Sequence, residues 1–510
     1  MKGIKLLVTS DIHGFVSPTD YTYQNNQNVG LANLATSIAT LRDENTLLID
    51  NGDIISGSPL AYYCNRFYEK DIDPLVEAVN YLDYDYLNLG NHDFNFGKET
   101  LMKYLNNTQA KILTRNIKID QNRIAPKYYV HEFKNGMCIA IFGIVTDFVK
   151  TLEKPENIEG IEFKDAFKTA KKCVKAILKN EHVDYIVGVY HGGFERDLKS
   201  HKRVDKQKGE NVGVKILDKI PGLDVLITGH QHQPIATFYR NKIITQTSCN
   251  GQNLALIELY EDESYNYPTL IFNKYHPDNK MLDIVSDAEK QLQEFLNTKL
   301  ADLSDDLVIE DSFQARLHKH PLVSFINQVQ LASSQADLSG VALFNNVVGY
   351  KKAIKVLDVL ANYPYFNYLK VIKIDGQTLK LYLEKNAEYF SLKNESVVVS
   401  KNYCYPKQKD YDYDMVDGIN YTIDVSRPIG NRIVSLTYHG EKVAANDQFK
   451  LVISDYRYSG VGGFQMLADC ELLATIKADM AQLIIKYLQD NPKLVINHQD
   501  NIQVINKKLG

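Results

Sequence analysis

MKGIKLLVTSDIHG, residues 1–14, is an apolar run of strand length that ends abruptly in an aspartate and a histidine. The pattern returns in TLLIDNGD (46–53), YDYLNLGNHDFNFG (84–97), DYIVGVYHGG (184–193) and DVLITGHQH (224–232), and CIAIFGIV (138–145) adds a further apolar run. Short runs that stop at glycine or polar residues read as buried strands. Helical spacing follows the first run in LANLATSIATLRDEN (31–45) and the second in PLVEAVNYL (74–82), and precedes DYIVGVY in FKTAKKCVKAILKNE (167–181). Strands alternating with helices predict an α/β layered domain, whose sheet need not be wholly parallel.

The chain's 510 residues exceed what one hydrophobic core organises, so two domains are expected. A hydrophobic fraction of 44% and a charged fraction of 24% fit an ordinary soluble globular protein. With 58 basic and 63 acidic side chains the formal charge is -5, which argues against stable binding to nucleic acid. Small phosphate ligands are still compatible with it, because bound cations can supply positive charge locally. Cys64, Cys138, Cys173, Cys249, Cys404 and Cys470 form no CxxC pair and read as buried thiols in a reducing compartment. The first strand begins too early for a signal peptide, and no apolar stretch is long enough to span a bilayer. A cytoplasmic protein without a membrane partner is the expectation; a leader removed beforehand would make it a secreted one.

Residues 285–305, IVSDAEKQLQEFLNTKLADLS, space apolar side chains helically amid charge and predict a linker helix. This sets a catalytic domain at 1–284 and a second, α+β domain at 306–510, where HPLVSFINQVQLASSQADLSGVALFNN leads into YLKVIKIDG, NYTIDVS and RIVSLTYHG.

Five polar clusters in the first half lie at or just past the carboxyl ends of apolar runs: Asp11 with His13, Asp53, Asn91 with His92, His191, and His230 with His232. Ligands of layered α/β sheets bind in the crevice beyond those strand ends, so the clusters can converge. The two D-x-H and H-x-H pairs, if extended, would each point both side chains the same way. Oxygen and imidazole donors without thiolate suit Mn, Zn or Fe rather than a structural zinc site. His131, His182, His201, His276, His318, His320, His439 and His498 fit no cluster and read as surface or core residues.

The ordered blocks D-x-H, GD, GNHD, H and GH-x-H, from residue 11 to 232, resemble the calcineurin-like metallophosphoesterase superfamily. The resemblance implies a β-sandwich flanked by helices and two divalent cations. Asp11, His13, Asp53 and His232 would hold one, Asp53, Asn91, His191 and His230 the other, with Asp53 shared. Such a pair activates a water and polarises phosphoryl oxygens. His92 would stabilise the phosphoryl group or protonate the departing alkoxide, help typically worth ~10² to 10⁴ in rate.

With its second half included, the chain resembles the 5′-nucleotidase family, which joins this metal domain to a nucleotide-binding one. ADLSGVALFNN, YTIDVSRPIGNRI and DYRYSGVGGF carry that resemblance. Two departures point to the 2′,3′-cyclic-nucleotide 2′-phosphodiesterase/3′-nucleotidase branch. Asn95 stands where 5′-nucleotidases usually carry an acid to pair with the catalytic histidine, leaving Asp93 as a possible replacement. LSGVALFNN lacks the glycine pair and phosphate-holding arginine usual in 5′-nucleotidases. The resemblance further implies a base sandwiched by Tyr413 and Phe464, with Tyr458 an alternate; Asn345 joins the substrate-binding set, and Arg457 either touches ligand or pairs with a carboxylate. Base and phosphate on separate domains would let domain closure gate turnover. The competing readings are a 5′-nucleotidase or UDP-sugar hydrolase, and a non-catalytic nucleotide-binding protein.

Overall fold

Cys138–Val145 explains how the first sheets are layered, because every second side chain of this strand faces a different core. Ile139 and Ile141 join Ile4, Leu6, Val8, Val187 and Val225 in one buried cluster, whereas Ala140, Phe142 and Ile144 pack with Ala170, Val174 and Ile177 of the helix Ala166–Asn180. A strand covered on both faces must be apolar throughout, hence the unbroken run in the sequence. The computed structural model describes residues 2–21, 25–26, 28–69, 73–204, 209–262, 264–272, 276–363, 367–404 and 408–507.

Two six-stranded sheets form the sandwich of the N-terminal unit. The first runs Thr269–Phe272, Asn253–Tyr260, Gly3–Thr9, Thr46–Asp50, Tyr86–Leu87, Lys111–Ile112; the second runs Ile235–Tyr239, Lys242–Gln246, Val225–Thr228, Tyr185–His191, Cys138–Val145, Tyr129–Glu132. In each, four neighbouring strands are parallel, and the antiparallel partners lie at the edges. The parallel strands therefore deliver their carboxyl ends, with the polar clusters attached, to one side of each sheet.

The chain divides into two compact units, Met1–Gln293 and Glu294–Gly510. The helix expected over 285–305 runs instead over Asn279–Leu296, and Lys299–Leu303 is a strand. Met281, Val285, Ala288, Leu292 and Leu296 make a wholly buried stripe, which starts before the predicted one. KLADL alternates too briefly for periodicity to distinguish strand from helix, and pairing with Ala353–Lys355 and Lys493–Leu494 decides it. Tyr21, Tyr63 and Tyr68 hydrogen-bond Glu289, Gln291 and Asp287, fastening this helix to the N-terminal unit.

The C-terminal unit mixes helices such as Pro321–Ser334 and Gly376–Ala387 with a five-stranded and a four-stranded sheet. Among the described residues no helix is long and apolar enough to cross a membrane. The six cysteines are all free; Cys64 and Cys173 are buried, whereas Cys404 is exposed, so burial does not hold for the whole set as expected.

Candidate metal centre

Each polar cluster sits on a loop that leaves a parallel strand or, for His191, on the strand's last residue, and backbone hydrogen bonds lace the loops together. Asp11 N–H donates to Gly52 O at 2.9 Å, His13 N–H to Asp53 O at 2.7 Å, and Asn250 N–H to Asp11 O at 2.7 Å. The glycines in GD and GN are required by this packing. A Cβ on Gly52, at φ 93°, would lie 2.1 Å from Gly90 N, and one on Gly90 would lie 2.1 Å from Asp53 Oδ1.

The paired residues do not converge by extended backbone, as their spacing suggested. Asp11, His13, Asp53, His230 and His232 all have left-handed conformations, with φ between 53° and 69°. Sharp turns just past the strand ends swing both members of each pair inward. Non-glycine residues held there cost of order 1–3 kcal/mol each, a strain that clusters at functional sites.

All seven sequence-predicted donors meet. His13 Nε2 faces His232 Nε2 at 3.0 Å, and His232 Nε2 lies 3.4 Å from Asp11 Oδ1. His191 Nε2 is 3.2 Å from both Asp53 Oδ2 and Asn91 Oδ1, and 3.9 Å from Asp11 Oδ1. Asn91 Oδ1 is also 2.7 Å from His230 Nδ1. Asp11, His13 and His232 form one group with cation-binding spacing; Asp11, Asp53 and His191 form another.

The donor set fits divalent cations. Asp53 Oδ2 is buried, and the group nearest to satisfying it is His191 Nε2, 3.2 Å away in an ion pair. His13 Nδ1 donates to Ser56 O at 3.0 Å and His191 Nδ1 to Asn51 O at 2.6 Å, so both rings turn Nε2 toward the site, the nitrogen whose lone pair a cation would take in place of a proton. Two imidazole lone pairs facing at 3.0 Å, as in His13 and His232, require a cation or a proton between them.

The electrostatics agree. Burial raises the Asp53 carboxyl, but His191, His92 and His13 outweigh it and hold the group well below the usual carboxylate range. Burial lowers His191, but Asp53 and Asp11 outweigh it and push the ring up to about 10. His232 is likewise raised to about 10 against burial, chiefly by Asp11. Desolvation brings His13 down to about 4.

Asp93 is not the partner of His92. Its buried carboxylate accepts the N–H groups of Asp53, Ile54, Ile55 and Gly90 at 2.8–3.1 Å, and so builds the turn that carries Asp53. Burial, reinforced by the Asp53 charge, pushes it up to about 6. The imidazole is instead held by Asn95: His92 Nδ1 lies 2.8 Å from Asn95 Oδ1. An amide carbonyl can orient a ring as a carboxylate does, which the sequence comparison with an acid at that position obscured. The half-buried His92 ring lies 5.3 Å from that of His13.

The proposed base-stacking rings fare differently. Tyr413 is wholly buried, stacked on Tyr389 at 4.8 Å with 12° between planes and met edge-on by Phe390. Phe464 is also wholly buried, with the Arg457 guanidinium 3.9 Å over its ring. Neither ring presents a face to a base in this structure. Arg457 pairs with carboxylate, its Nε and Nη2 lying 2.6 and 2.9 Å from Asp414. Asn345 spends its amide on Gln408 O and Asp410 N–H, and half-buried Tyr458 points its hydroxyl at Cys470 O, 3.5 Å away. Among the aromatics of this region Tyr456 is 36% exposed, with half-buried Tyr411 meeting it edge-on.

Two residues escaped the sequence reading. Glu210 Oε1 is 3.0 Å from His230 Nε2, opposite the nitrogen that faces Asn91, and Glu153 Oε2 accepts from Asn95 Nδ2 at 2.5 Å. Both lie in loops without a strand-end signature, so nothing in the pattern marked them.

Comparison with known proteins bears on both units. The family model for calcineurin-like phosphoesterases matches residues 4–234, and that for the 5′-nucleotidase C-terminal domain matches residues 300–469. The crystal structure of a candidate 5′-nucleotidase from Staphylococcus aureus, in complex with alpha-ketoglutarate, is 31% identical; the alignment covers 99% of this chain and 100% of that one, with TM-score 0.89. The trifunctional nucleotide phosphoesterase protein YfkN of Bacillus subtilis is 24% identical over 96% of this chain, which spans 38% of that longer protein. The 2′,3′-cyclic-nucleotide 2′-phosphodiesterase/3′-nucleotidase of Haemophilus influenzae is 24% identical over 95% of this chain and 84% of its own length.

Proposed function

We propose that this chain, which belongs to the 5′-nucleotidase family of calcineurin-like phosphoesterases, hydrolyses phosphate esters of nucleotides and prefers 2′,3′-cyclic and 3′-nucleotides. The observation that carries the reading is the convergence of Asp11, His13, Asp53, Asn91, His191, His230 and His232, with the buried Asp53 Oδ2 left without a hydrogen bond. Asp11, His13 and His232 with Asp53 would hold one cation, and Asn91, His191 and His230 with Asp53 the other. Bound there, Mn, Zn or Fe supplies Lewis acidity to a phosphoryl oxygen and a nucleophile at neutral pH.

The chain's own groups then have distinct tasks. Asp53, anchored by its Oδ1 on the His92 N–H at 2.7 Å, keeps Oδ2 for the cations. His92 gives its Nδ1 hydrogen to Asn95, so Nε2 is the nitrogen left to steady the phosphoryl group or deliver a proton to the departing alkoxide. In the C-terminal unit, residues 306–510, Tyr456 and Tyr411 take the place of Tyr413 and Phe464 as the rings for a base, because they are less buried than that wholly buried pair. Stacking of this kind contributes ~1–3 kcal/mol and tolerates different bases.

The preference for cyclic and 3′ substrates is supported by Asn95 at the position beside His92 and by the likeness to the Haemophilus influenzae protein. Six unpaired cysteines fit a reducing compartment, and we place the enzyme in the cytoplasm. The test is phosphate release by metal-free and Mn-reconstituted protein from 2′,3′-cyclic, 3′- and 5′-nucleotides and UDP-sugar. Mn-dependent turnover of the first two classes is expected. A 5′-nucleotide or UDP-sugar preference would overturn the branch assignment, and no turnover of any of them would overturn the reading altogether.

A further inference from the structure

We propose that Glu153 is a positioning residue for His92, acting through Asn95, so that the carboxylate of a histidine–acid pair stands one side chain further out; this rests on the role given to His92 above. The argument is one of donors and acceptors. A carboxylate only accepts, so Glu153 Oε2, 2.5 Å from Asn95 Nδ2, requires the amide NH₂ of Asn95 to face it. Asn95 Oδ1 is thereby turned inward, where it receives Ser56 Oγ–H at 2.9 Å and His92 Nδ1–H at 2.8 Å. An imidazole whose Nδ1 carries the hydrogen has its Nε2 available for the substrate. Glu153 thus selects the amide orientation, and the amide selects the tautomer.

Glu153 is itself held. Its Oε1 accepts Lys154 N–H at 2.8 Å and Asn157 Nδ2 at 2.8 Å, and Asn157 Nδ2 also reaches the Asn95 backbone carbonyl at 2.8 Å. The carboxylate is therefore a fixed post at the end of the short helix Val149–Leu152.

This arrangement makes an unusual prediction about two isosteric changes. Asn95→Asp places an acid beside the histidine, but sets two carboxylates against each other across the 2.5 Å contact. In Glu153→Gln the side-chain oxygen stays on Lys154 N–H and Asn157 Nδ2, which turns the new NH₂ to Asn95; the Asn95 amide must flip, and His92 loses its fixed tautomer. Combining the two reverses the outer hydrogen bond and keeps the inner one: the amide introduced at position 153 donates to the carboxylate introduced at position 95, and that carboxylate accepts from His92.

The experiment measures kcat and KM for bis(p-nitrophenyl) phosphate with the Mn-loaded full-length protein, together with Mn content and thermal unfolding. Each single variant is expected to lose about ten- to hundredfold in kcat at near-constant KM and Mn content, and the double variant to recover to within about threefold of the parent. In Zn-loaded protein with ¹⁵N-labelled histidine, the His92 resonances, identified by their loss in His92→Ala, should show Nδ1–H in the parent and double variant and tautomer mixing in Glu153→Gln. Losses that multiply in the double variant, or an unchanged tautomer in Glu153→Gln, would overturn the relay while leaving His92 its role. A His92→Ala variant as active as the parent would overturn the role of His92 itself, and the relay with it.

Discussion

His191 of the N-terminal unit and Tyr413 of the C-terminal unit are both wholly buried, yet for opposite reasons. His191 lies among Asp11, Asp53 and Asn91, polar groups whose burial costs free energy unless something binds them. Tyr413 lies against Tyr389 and Phe390, rings whose burial is favourable in itself. A convergence of buried carboxylate, amide and imidazole groups therefore points to a ligand, whereas a buried ring, even one whose hydroxyl has no hydrogen-bond partner as in Tyr413, points to a core unless a face is left open.

The sharpest way to break this contrast is at Asp53. Asp53→Ala should lower Mn-dependent phosphate release by more than about 10⁴-fold and abolish tight metal binding, measured as Mn per chain, because the shared ligand serves both cations. Should activity survive, the polar cluster would be an interior network rather than a site. His92→Ala should cost about 10³-fold in kcat with Mn content retained, which separates the group acting on substrate from those holding metal.

The raised histidines predict a pH dependence. Without a cation, His191 and His232 keep their protons up to about 10, above the usual histidine value. The stabilisation they lend the metal-free protein is complete below the ordinary histidine range and is lost as pH rises through about 10. Cation entry must displace those protons, so apparent Mn affinity should climb between about pH 6 and 9 by about ten- to hundredfold per unit. Calorimetry in buffers of different ionisation enthalpy counts the protons released, and a flat affinity profile would contradict the assignment.

The aromatic half of the contrast is tested by pairing variants. Tyr413→Ala and Phe464→Ala should destabilise by about 3–5 kcal/mol in denaturant melts, as core truncations do. Tyr456→Ala should leave stability nearly unchanged and raise nucleotide KM by about 1–3 kcal/mol in free-energy terms. The reverse pattern would return the base to the residues first expected. A smaller effect is expected at Glu210, where Glu210→Gln should weaken Mn affinity by about tenfold through the His230 ring it braces.

Much of the N-terminal unit was readable because its periodicities are unambiguous. Cys138–Val145 and Tyr185–His191 are apolar on both faces, and a polar stop after such a strand has few structural uses. KLADL at 299–303 was misjudged because five residues cannot distinguish a period of 3.6 from one of 2. The burial of Tyr413 and Phe464 was not legible, because 33 tyrosines and 20 phenylalanines give a ring no distinctive local signal.

The linear order of the chain by itself determined the strand cores, the two-part organisation and the polar clusters that converge, since each follows from hydrophobic period or from polar residues placed at a strand end. Only the tertiary structure decided that Asp11, His13, Asp53, His230 and His232 turn inward through left-handed backbone, that Asp93 props a loop, and that Glu210 and Glu153 stand behind His230 and Asn95. The physical reason is distance along the chain. Hydrogen bonds between residues 20 to 58 positions apart depend on how loops from different strands meet, and no local pattern encodes that meeting.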